Sequence, residues 1–255
     1  MPFSPSPSWV RRTRRDPPTE NTACTGAAAG ATSNPYATYP TVCTKVRCLN
    51  AGTMSSACVW HWKQNNRIMK KILPVSQIDK TWSLFLDRDG IINERIVDGY
   101  VTGITEFVIL PQVREAMVLL RQTFGRVFLV SNQQGIGKGI MTAEDVEQVH
   151  GYMEAELDFP FDRIYYCGAL ASEGSSMRKP ETGMAKQARA DFPDVDFSRS
   201  VMVGDAVTDM QFGERAGMYT VFIPGAAAAC PQASLQCTDL YDFACKVRDN
   251  KKQNH

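Results

Sequence analysis

Two aspartates one residue apart follow a short apolar run in the first half of the chain. The run, residues 83–86, leads into Asp87-Arg88-Asp89-Gly90. Because it is short, lacks a helical period and is punctuated by glycine, it predicts a buried strand rather than a helix. Carboxylates at a strand end suit a hard cation, and two of them can divide nucleophilic and proton-transfer work. Taken alone, however, Asp-x-Asp-Gly is also typical of an ordinary turn.

A glycine-rich segment offers donors for an anion. Residues 131–139 read Ser-Asn-Gln-Gln-Gly-Ile-Gly-Lys-Gly and follow a second apolar run. The hydroxyl of Ser131 and the backbone N–H groups, beginning with that of Asn132, can hold phosphate oxygens. The segment is not a P-loop, because the Gly-Lys-Ser/Thr arrangement is absent. By itself it fits a plain glycine loop equally well.

Two charged segments follow later apolar runs. Arg178-Lys179-Pro180 stands just before a predicted helix, where Lys179 can neutralise both a phosphate and a nearby carboxylate. In isolation this basic pair is also typical of a solvated surface. After a fourth run come Asp205 and Asp209, and an acidic residue at such a place either completes a metal site or caps a helix.

The elements that must position these residues alternate between strands and helices from Trp82 onward. This alternation predicts a parallel α/β sheet, in which the carboxyl ends of the strands form the ligand crevice. We expect a Rossmann-like parallel five-stranded sheet flanked by helices. The predicted strands are 83–86, 127–130, 164–166, 201–203 and 220–223. The predicted helices are 113–124, 143–157, 183–191, 209–216 and 239–247. Thr142 is predicted to be an N-cap, and Gly125 and Gly217 are predicted to end helices.

Composition limits the class of protein and its partners. The chain has 255 residues, of which 44% are hydrophobic, and this is enough to build a core. No run of eighteen apolar residues and no apolar secretory signal occurs, so we expect a cytoplasmic protein without a membrane partner. The eight cysteines lack metal-ligand spacing and are expected to be free thiols.

The first 68 residues differ from the rest of the chain. They contain eight Lys/Arg, two Asp/Glu and half of the fourteen prolines, without apolar periodicity. Their net charge of +6, against +1 for the whole chain, leaves −5 for residues 69–255, which argues against a nucleic-acid-binding face. We predict a disordered basic extension at 1–68 and a folded domain at 69–255. The arginines at positions 11, 12, 14 and 15 leave an organellar address or an anchor to an anionic surface open, and another hypothesis is that translation starts at Met69.

The order of these motifs is similar to that of a known enzyme superfamily. Each motif follows an apolar strand, and together they are Asp87-Arg88-Asp89-Gly90, Ser131-Asn132, Lys179-Pro180 and Gly204-Asp205 with Asp209. This order resembles the haloacid dehalogenase superfamily of phosphohydrolases, over residues 82–223. The longer strings at 85–93, 131–137 and 178–184 resemble one branch of it, which holds the D,D-heptose 1,7-bisphosphate phosphatases and the histidinol phosphatases.

The resemblance implies a magnesium-dependent phosphatase that forms an aspartyl-phosphate. Asp87 would be the nucleophile, and Asp89 would protonate the leaving group and then activate water. Ser131 and the N–H of Asn132 would bind phosphoryl oxygens, while Lys179 would offset the charge of phosphate and nucleophile.

A metal site and a second anion contact are also implied. Asp87, the backbone carbonyl of Asp89 and Asp205 would bind Mg²⁺, with Asp209 supporting them through hydrogen bonds or water. Arg178 would reach either a second anionic group or the same phosphate.

The chain departs from the branch in one loop. Members commonly hold zinc before the Arg-Lys-Pro with a Cys/His cluster, whereas residues 167–177 contain Cys167 and no histidine. One soft ligand cannot make a closed tetrahedral site, so no zinc is expected. The intervals 90–113 and 168–178 are too short for an ordinary folded domain, so we predict no large cap. The 93–106 flap, the 168–178 loop, the substrate or a partner would then exclude water.

The substrate predicted from the resemblance is a small phosphorylated metabolite, with a sugar phosphate such as D-glycero-D-manno-heptose 1,7-bisphosphate favoured. Histidinol phosphate or another phosphomonoester is the alternative within enzymes. A non-catalytic phosphate-binding interaction module is the alternative from another class. None of the three histidines, His61, His150 and His255, is well placed as a base. The oligomeric state is not predicted.

Overall fold

A parallel sheet of six strands forms the centre of the fold in the computed structural model, which describes residues 71–225, 230 and 232–252. The strands lie in the order β3-β2-β1-β4-β5-β6, and every neighbouring pair is parallel. Their bounds are β1 Ser83–Leu86, β2 Arg126–Asn132, β3 Arg163–Cys167, β4 Ser200–Gly204, β5 Tyr219–Phe222 and β6 Leu235–Gln236. Five strands were predicted. The sixth was missed because two residues are too few to display a periodic pattern.

Five α-helices accompany these strands within the same described ranges, four between strands and one after the last strand. They are α1 Val113–Thr123, α2 Ala143–Leu157, α3 Gly183–Asp191, α4 Val207–Ala216 and α5 Leu240–Lys252. All five correspond to predicted helices, and only α5 extends well beyond its predicted end. The parallel α/β class expected from the alternating pattern is therefore confirmed.

The helix ends show which local signals were informative. The Thr142 hydroxyl accepts a hydrogen bond from the backbone N–H of Asp145, whose carboxylate accepts one from the N–H of Thr142, so the predicted N-cap is confirmed. Gly217 ends α4 with φ +89°, as predicted. Gly125 has a different role, because its backbone is not left-handed. A Cβ there would lie 2.0 Å from the carbonyl oxygen of Lys80, so the residue is needed for a close approach of two chain segments.

The sheet separates two apolar layers. Leu84 and Leu86 of β1 pack in the layer that contains residues of α1, α2 and α5, whereas Phe85 packs with residues of α3 and α4. The ring centroids of Phe85 and Phe128 lie 4.9 Å apart across neighbouring strands. Because both faces are covered, every residue of β1 is buried. The residue that follows β1 therefore leaves a rigid strand at the centre of the sheet.

No folded cap interrupts the described chain at either predicted insertion point. Residues 87–112 contain the one-turn helix Ile104–Glu106 and two isolated bridges through Asn93, and residues 168–182 contain the one-turn helix Ala171–Glu173. Among the helices within the described ranges, none combines the length and the apolar character needed to cross a membrane. The predicted extension at 1–68 lies outside the described residues.

Candidate active site

The carboxyl ends of three adjacent strands bring three predicted site residues together. Asp87 follows β1, Ser131 lies near the end of β2, and Asp205 follows β4. Because β1 lies between β2 and β4, these side chains meet at one edge of the sheet. The N–H of Asp87 donates to the carbonyl oxygen of Val203 at 3.0 Å, so Asp87 continues the β1–β4 ladder. All three side chains are buried.

A buried lysine joins two of the acidic side chains. Lys179 Nζ lies 2.7 Å from Asp87 Oδ1 and 2.7 Å from Asp209 Oδ1, and it donates to the carbonyl oxygen of Val130 at 2.8 Å. Only 2% of the Lys179 side chain is exposed. Burial by itself would lower the pKa of Lys179, but Asp209 and Asp87 raise it above its ordinary value. The ammonium group is therefore held charged by three oxygens.

The loop that carries Lys179 is held by Asn132. The Asn132 side chain accepts a hydrogen bond from the N–H of Lys179 at 3.0 Å and donates one to the carbonyl oxygen of Lys179 at 3.1 Å. The Lys179–Pro180 peptide bond is cis. Arg178 lines the neighbouring cavity and donates to the carbonyl oxygen of Ala169 at 3.2 Å. The Asn132 side chain thus positions Lys179, while a contact of its N–H with phosphate stays a prediction.

The second aspartate of the pair has a separate set of partners. Asp89 accepts hydrogen bonds from Arg88 at 3.0 and 3.1 Å, from Asn93 Nδ2 at 3.0 Å and from Gln133 Nε2 at 2.9 Å. The same Gln133 nitrogen donates to the Ser131 hydroxyl at 2.8 Å. Burial would raise the pKa of Asp89, but Arg88 and these hydrogen bonds lower it below its ordinary value. Asp87 and Asp89 therefore lie in different electrostatic environments, although one residue separates them.

A buried histidine supports this second set. Arg88 is wholly buried, and its Nη1 lies 3.4 Å from Nε2 of His150 on α2. Burial and the nearby Arg88 lower the pKa of His150 to about 3, so the ring is neutral at ordinary pH and can accept a hydrogen bond from the guanidinium. This contact was not predicted from the sequence.

The carboxylates around Asp87 carry more negative charge than Lys179 can balance. Burial raises the pKa of Asp87 to about 6, with Lys179 opposing the rise and Asp209 and Asp89 adding to it. Burial likewise raises the pKa of Asp205, against the effect of Arg95. A further cation at this place would stabilise the ionised forms.

Arg95 supplies a positive charge at this place. Its Nε and Nη2 lie 2.9 and 2.5 Å from the two carboxylate oxygens of Asp205. Nη2 also donates to the backbone carbonyl oxygen of Asp89 at 2.8 Å and lies 3.6 Å from Asp87 Oδ2. The three groups predicted to bind magnesium therefore all face this guanidinium. The sequence analysis did not identify Arg95.

The donor set around this guanidinium fits a hard divalent cation. Ligand atoms of Asp87, Asp205 and Asp209 all lie within 4.8 Å of one another, and the carbonyl oxygen of Asp89 is adjacent. All of these donors are oxygens, the ligands that Mg²⁺ prefers. Gly90 has φ +91°, and a Cβ there would lie 2.1 Å from Asp205 Oδ2, so only glycine lets Asp205 approach so closely.

The loop predicted to lack zinc contains one buried thiol. Cys167 Sγ lies 3.8 Å from the hydroxyl of Ser175. In residues 71–225, 230 and 232–252, the acidic group around Asp87 is the one cluster of three or more metal-binding side chains. The expectation of no zinc stays a prediction.

An open cavity of about 460 Å³ lies above the acidic cluster. Its floor includes Asp87, Ser131 and Lys179, and its walls include Arg178 and the segment 95–100. This volume is within the range of small-molecule sites, and a small phosphorylated molecule could lie with its phosphate on the floor.

The sequence patterns identified the buried half of the site better than the rim. Asp87, Ser131, Lys179, Asp205 and Asp209 meet as predicted. Asn93 and Gln133 were overlooked as partners of Asp89, although both stand inside the strings that carry the family resemblance. Arg95 had no signal of its own, because a single arginine in a polar loop is ordinary.

Comparisons with known proteins agree with the geometry. The family model described as HAD-hydrolase-like matches residues 176–232. A D-glycero-D-manno-heptose-1,7-bisphosphate 7-phosphatase of Chlorobaculum tepidum is 39% identical in an alignment of 154 residues, and the match covers 55% of this chain and 77% of that protein. A D-glycero-alpha-D-manno-heptose-1,7-bisphosphate 7-phosphatase of Mycobacterium tuberculosis is 32% identical, over 65% of this chain and 91% of that protein.

A solved structure shares the fold. The D,D-heptose 1,7-bisphosphate phosphatase of B. bronchiseptica, complexed with magnesium and phosphate, matches with a TM-score of 0.61 and 27% identity. The match covers 66% of this chain and 98% of that one. A putative HAD-like phosphatase of Mesorhizobium loti matches with a TM-score of 0.54 and 28% identity, over 72% of this chain and 91% of that one.

Proposed function

This chain belongs to the haloacid dehalogenase-like phosphatase family that includes the heptose-bisphosphate 7-phosphatases, and from that premise we propose that it hydrolyses the 7-phosphate of D-glycero-D-manno-heptose 1,7-bisphosphate. The observation that carries the proposal is the position of Asp87. Its carboxylate is buried at the end of the central strand, paired with Lys179 at 2.7 Å, and faces the cavity. A nucleophile for phosphoryl transfer needs this combination of fixed position and charge compensation.

Asp87 would attack phosphorus and form an aspartyl-phosphate. Lys179 holds Asp87 Oδ1, which leaves Oδ2 as the oxygen away from the ammonium group. Lys179 would also stabilise the charge that develops on the phosphoryl oxygens. The Ser131 hydroxyl already accepts from Gln133, so its own hydrogen is available for a phosphoryl oxygen. The N–H of Asn132 is the second proposed donor.

Asp89 would carry the proton. Hydrogen bonds from Arg88, Asn93 and Gln133 stabilise its ionised form, which suits activation of water in the second half of the reaction. Protonation of the leaving oxygen requires the carboxyl group to turn from Arg88 toward the cavity, which it also lines.

Magnesium would be held by Asp87, the carbonyl oxygen of Asp89 and Asp205, where it would neutralise phosphoryl charge and orient the bound phosphate. Asp209 is already occupied by Lys179 and by the N–H of Ala206, so it would act as a supporting residue. We expect this chain to need no zinc.

A sugar bisphosphate fits the charge distribution of the cavity. One phosphate would lie over Asp87 and Lys179, and Arg178 on the wall would bind the second anionic group. Relatives are named for the alpha and for the beta anomer of the heptose, and all of those names specify the 7-phosphatase. The proposal therefore specifies the position of the hydrolysed phosphate and leaves the anomer to the experiment.

The test is a panel of phosphorylated metabolites assayed with magnesium, in which phosphorus NMR identifies the phosphate that is released. We expect the heptose bisphosphate to give the highest kcat/KM and Asp87→Asn to lower kcat at least about a thousandfold. Asp194→Asn is the matched control, because Asp194 is an exposed residue paired with Arg126. If Asp87→Asn were as active as wild type, the assignment of Asp87 as the nucleophile would be wrong. A preference for histidinol phosphate would show that the heptose bisphosphate is not the substrate.

The remaining proposals concern the whole chain. We propose that the phosphatase domain begins near residue 69, that residues 1–68 are an extension, and that the protein acts in the cytoplasm without nucleic-acid or membrane partners. The intact mass and the location of the native protein would test these points.

A further inference from the structure

The polar contacts of the Arg95 guanidinium are with the groups predicted to bind magnesium. It binds both oxygens of Asp205 and the carbonyl oxygen of Asp89, and it lies 3.6 Å from Asp87 Oδ2. These groups belong to two chain segments, the one that follows β1 and the one that follows β4, and a single side chain joins them. A cation that binds Asp87, Asp205 and the Asp89 carbonyl together would have to occupy the same space as Arg95 Nη2.

The charges of the acidic cluster explain why the Arg95 side chain lies against it. The carboxylates of Asp87, Asp205 and Asp209 face two cationic side chains, Lys179 and Arg95. One negative charge remains uncompensated in this group of five. If a divalent ion took the place of the guanidinium, the charges of the group would balance. A divalent ion would therefore compensate these carboxylates more completely than the guanidinium does.

The position of Arg95 in the chain allows the exchange. Asn93, two residues earlier, is fully buried, and the N–H of Glu94 donates to the carbonyl oxygen of Val108 at 2.8 Å. From residue 94 to residue 99 every residue is exposed, and 47% of the Arg95 side chain is accessible to solvent. The backbone is thus anchored just before Arg95, whereas the side chain can turn outward without unpacking the core.

We propose that Arg95 is an internal counter-cation that competes with the divalent metal for the carboxylates. It holds Asp205 and the Asp89 carbonyl in place while the metal is absent, and it must leave before the metal can bind. Its presence therefore stabilises the metal-free protein and weakens metal binding. This inference rests on the proposed function for the identity of the ion as Mg²⁺.

The experiment measures binding and stability, independently of turnover. Isothermal titration calorimetry with magnesium chloride gives Kd for the full-length wild type, Arg95→Gln and Arg95→Lys. We expect Arg95→Gln to bind Mg²⁺ about tenfold more tightly than wild type. In EDTA, its Tm should fall by about 2–4 °C, and the difference should disappear in saturating magnesium. Arg95→Lys keeps the positive charge but loses the two-point contact of the guanidinium. Its Kd for Mg²⁺ and its Tm in EDTA should therefore lie between those of wild type and Arg95→Gln.

Arg114→Gln is the matched control. Arg114 also forms an exposed two-point contact, with Glu156, at 2.5 and 2.6 Å, but it lies outside the site. Its substitution should leave Kd for Mg²⁺ at the wild-type value. Equal or weaker Mg²⁺ binding by Arg95→Gln, or an unchanged Tm in EDTA, would overturn the inference while leaving the proposed function intact if the wild type binds Mg²⁺. Absence of Mg²⁺ binding by every variant would overturn both.

Discussion

The two cationic side chains that face the acidic cluster belong to different regions of the molecule. Lys179 lies in the interior with 2% of its side chain exposed, whereas Arg95 lies on the rim with 47% exposed. Lys179 is fixed by three oxygens and by a loop that Asn132 clamps at both its N–H and its carbonyl. Arg95 projects from an exposed segment. The comparison teaches that an interior cation is a permanent structural part of this site, while a rim cation can be exchanged.

The largest expected effect follows removal of the interior cation. Lys179→Met leaves Asp87 and Asp209 buried without their common partner, and loss of one member of a buried pair costs about 3–5 kcal/mol. Urea unfolding of the metal-free protein should show this loss. Lys186→Met, at an exposed position of α3, should change the free energy of unfolding by less than about 0.5 kcal/mol. If Lys179→Met lost as little unfolding free energy as Arg95→Gln, the distinction between an interior and a rim cation would be wrong.

The next effect concerns His150, the interior partner of Arg88. The folded-state pKa of His150, about 3, lies below its unfolded value near 6.5. The neutral ring therefore contributes stability that is present above pH 6.5 and is lost as the pH falls toward 3. Linkage gives a loss of about 2 kcal/mol between pH 7 and pH 5.

The measurement for this prediction is the slope of unfolding free energy against pH, compared between wild type and His150→Gln. The variant should lose this part of the slope whatever its absolute stability, because glutamine does not titrate. Identical slopes would show that His150 does not contribute.

A smaller effect is expected at the clamp on Lys179. Asn132→Ala removes two hydrogen bonds to the backbone of Lys179 and should cost about 1–2 kcal/mol of stability. Because the Lys179 ammonium group would be positioned less firmly, kcat should also fall about tenfold, with a smaller change in KM. Steady-state kinetics and urea unfolding of the same preparation test both parts, and a change in KM alone would argue for substrate binding by the side chain instead.

The smallest effect is the response to salt. An exposed ion pair contributes less than about 1 kcal/mol to the free energy of unfolding, and dissolved salt screens it. A buried ion pair is screened much less. In EDTA, the stability difference between wild type and Arg95→Gln should shrink as sodium chloride rises to about 1 M. The difference caused by Lys179→Met should stay constant. If salt reduced the two stability differences equally, Arg95 and Lys179 would be screened to the same extent, and the distinction between a rim cation and an interior cation would be wrong.

The same division explains what the sequence could predict. Asp87, Lys179 and Asp205 stand at the ends of apolar runs, where the parallel topology itself brings them to one edge of the sheet. Arg95 meets Asp205 because a polar loop turns back over that edge, and no periodic pattern records such a turn. Gln133 and Asn93 depend on rotamers that bring them to one carboxylate. β6 and the role of Gly125 depend on packing between segments distant in sequence, which local propensity does not contain.

The contact between Lys179 and Asp87 has a consequence for biosynthesis. The two residues are 92 positions apart, and Asp205 and Asp209 come later still. During translation Asp87 therefore leaves the ribosome before Lys179, which neutralises it in the folded protein. The acidic cluster and its lysine can come together only after α4 has been made, because Asp209 lies in that helix.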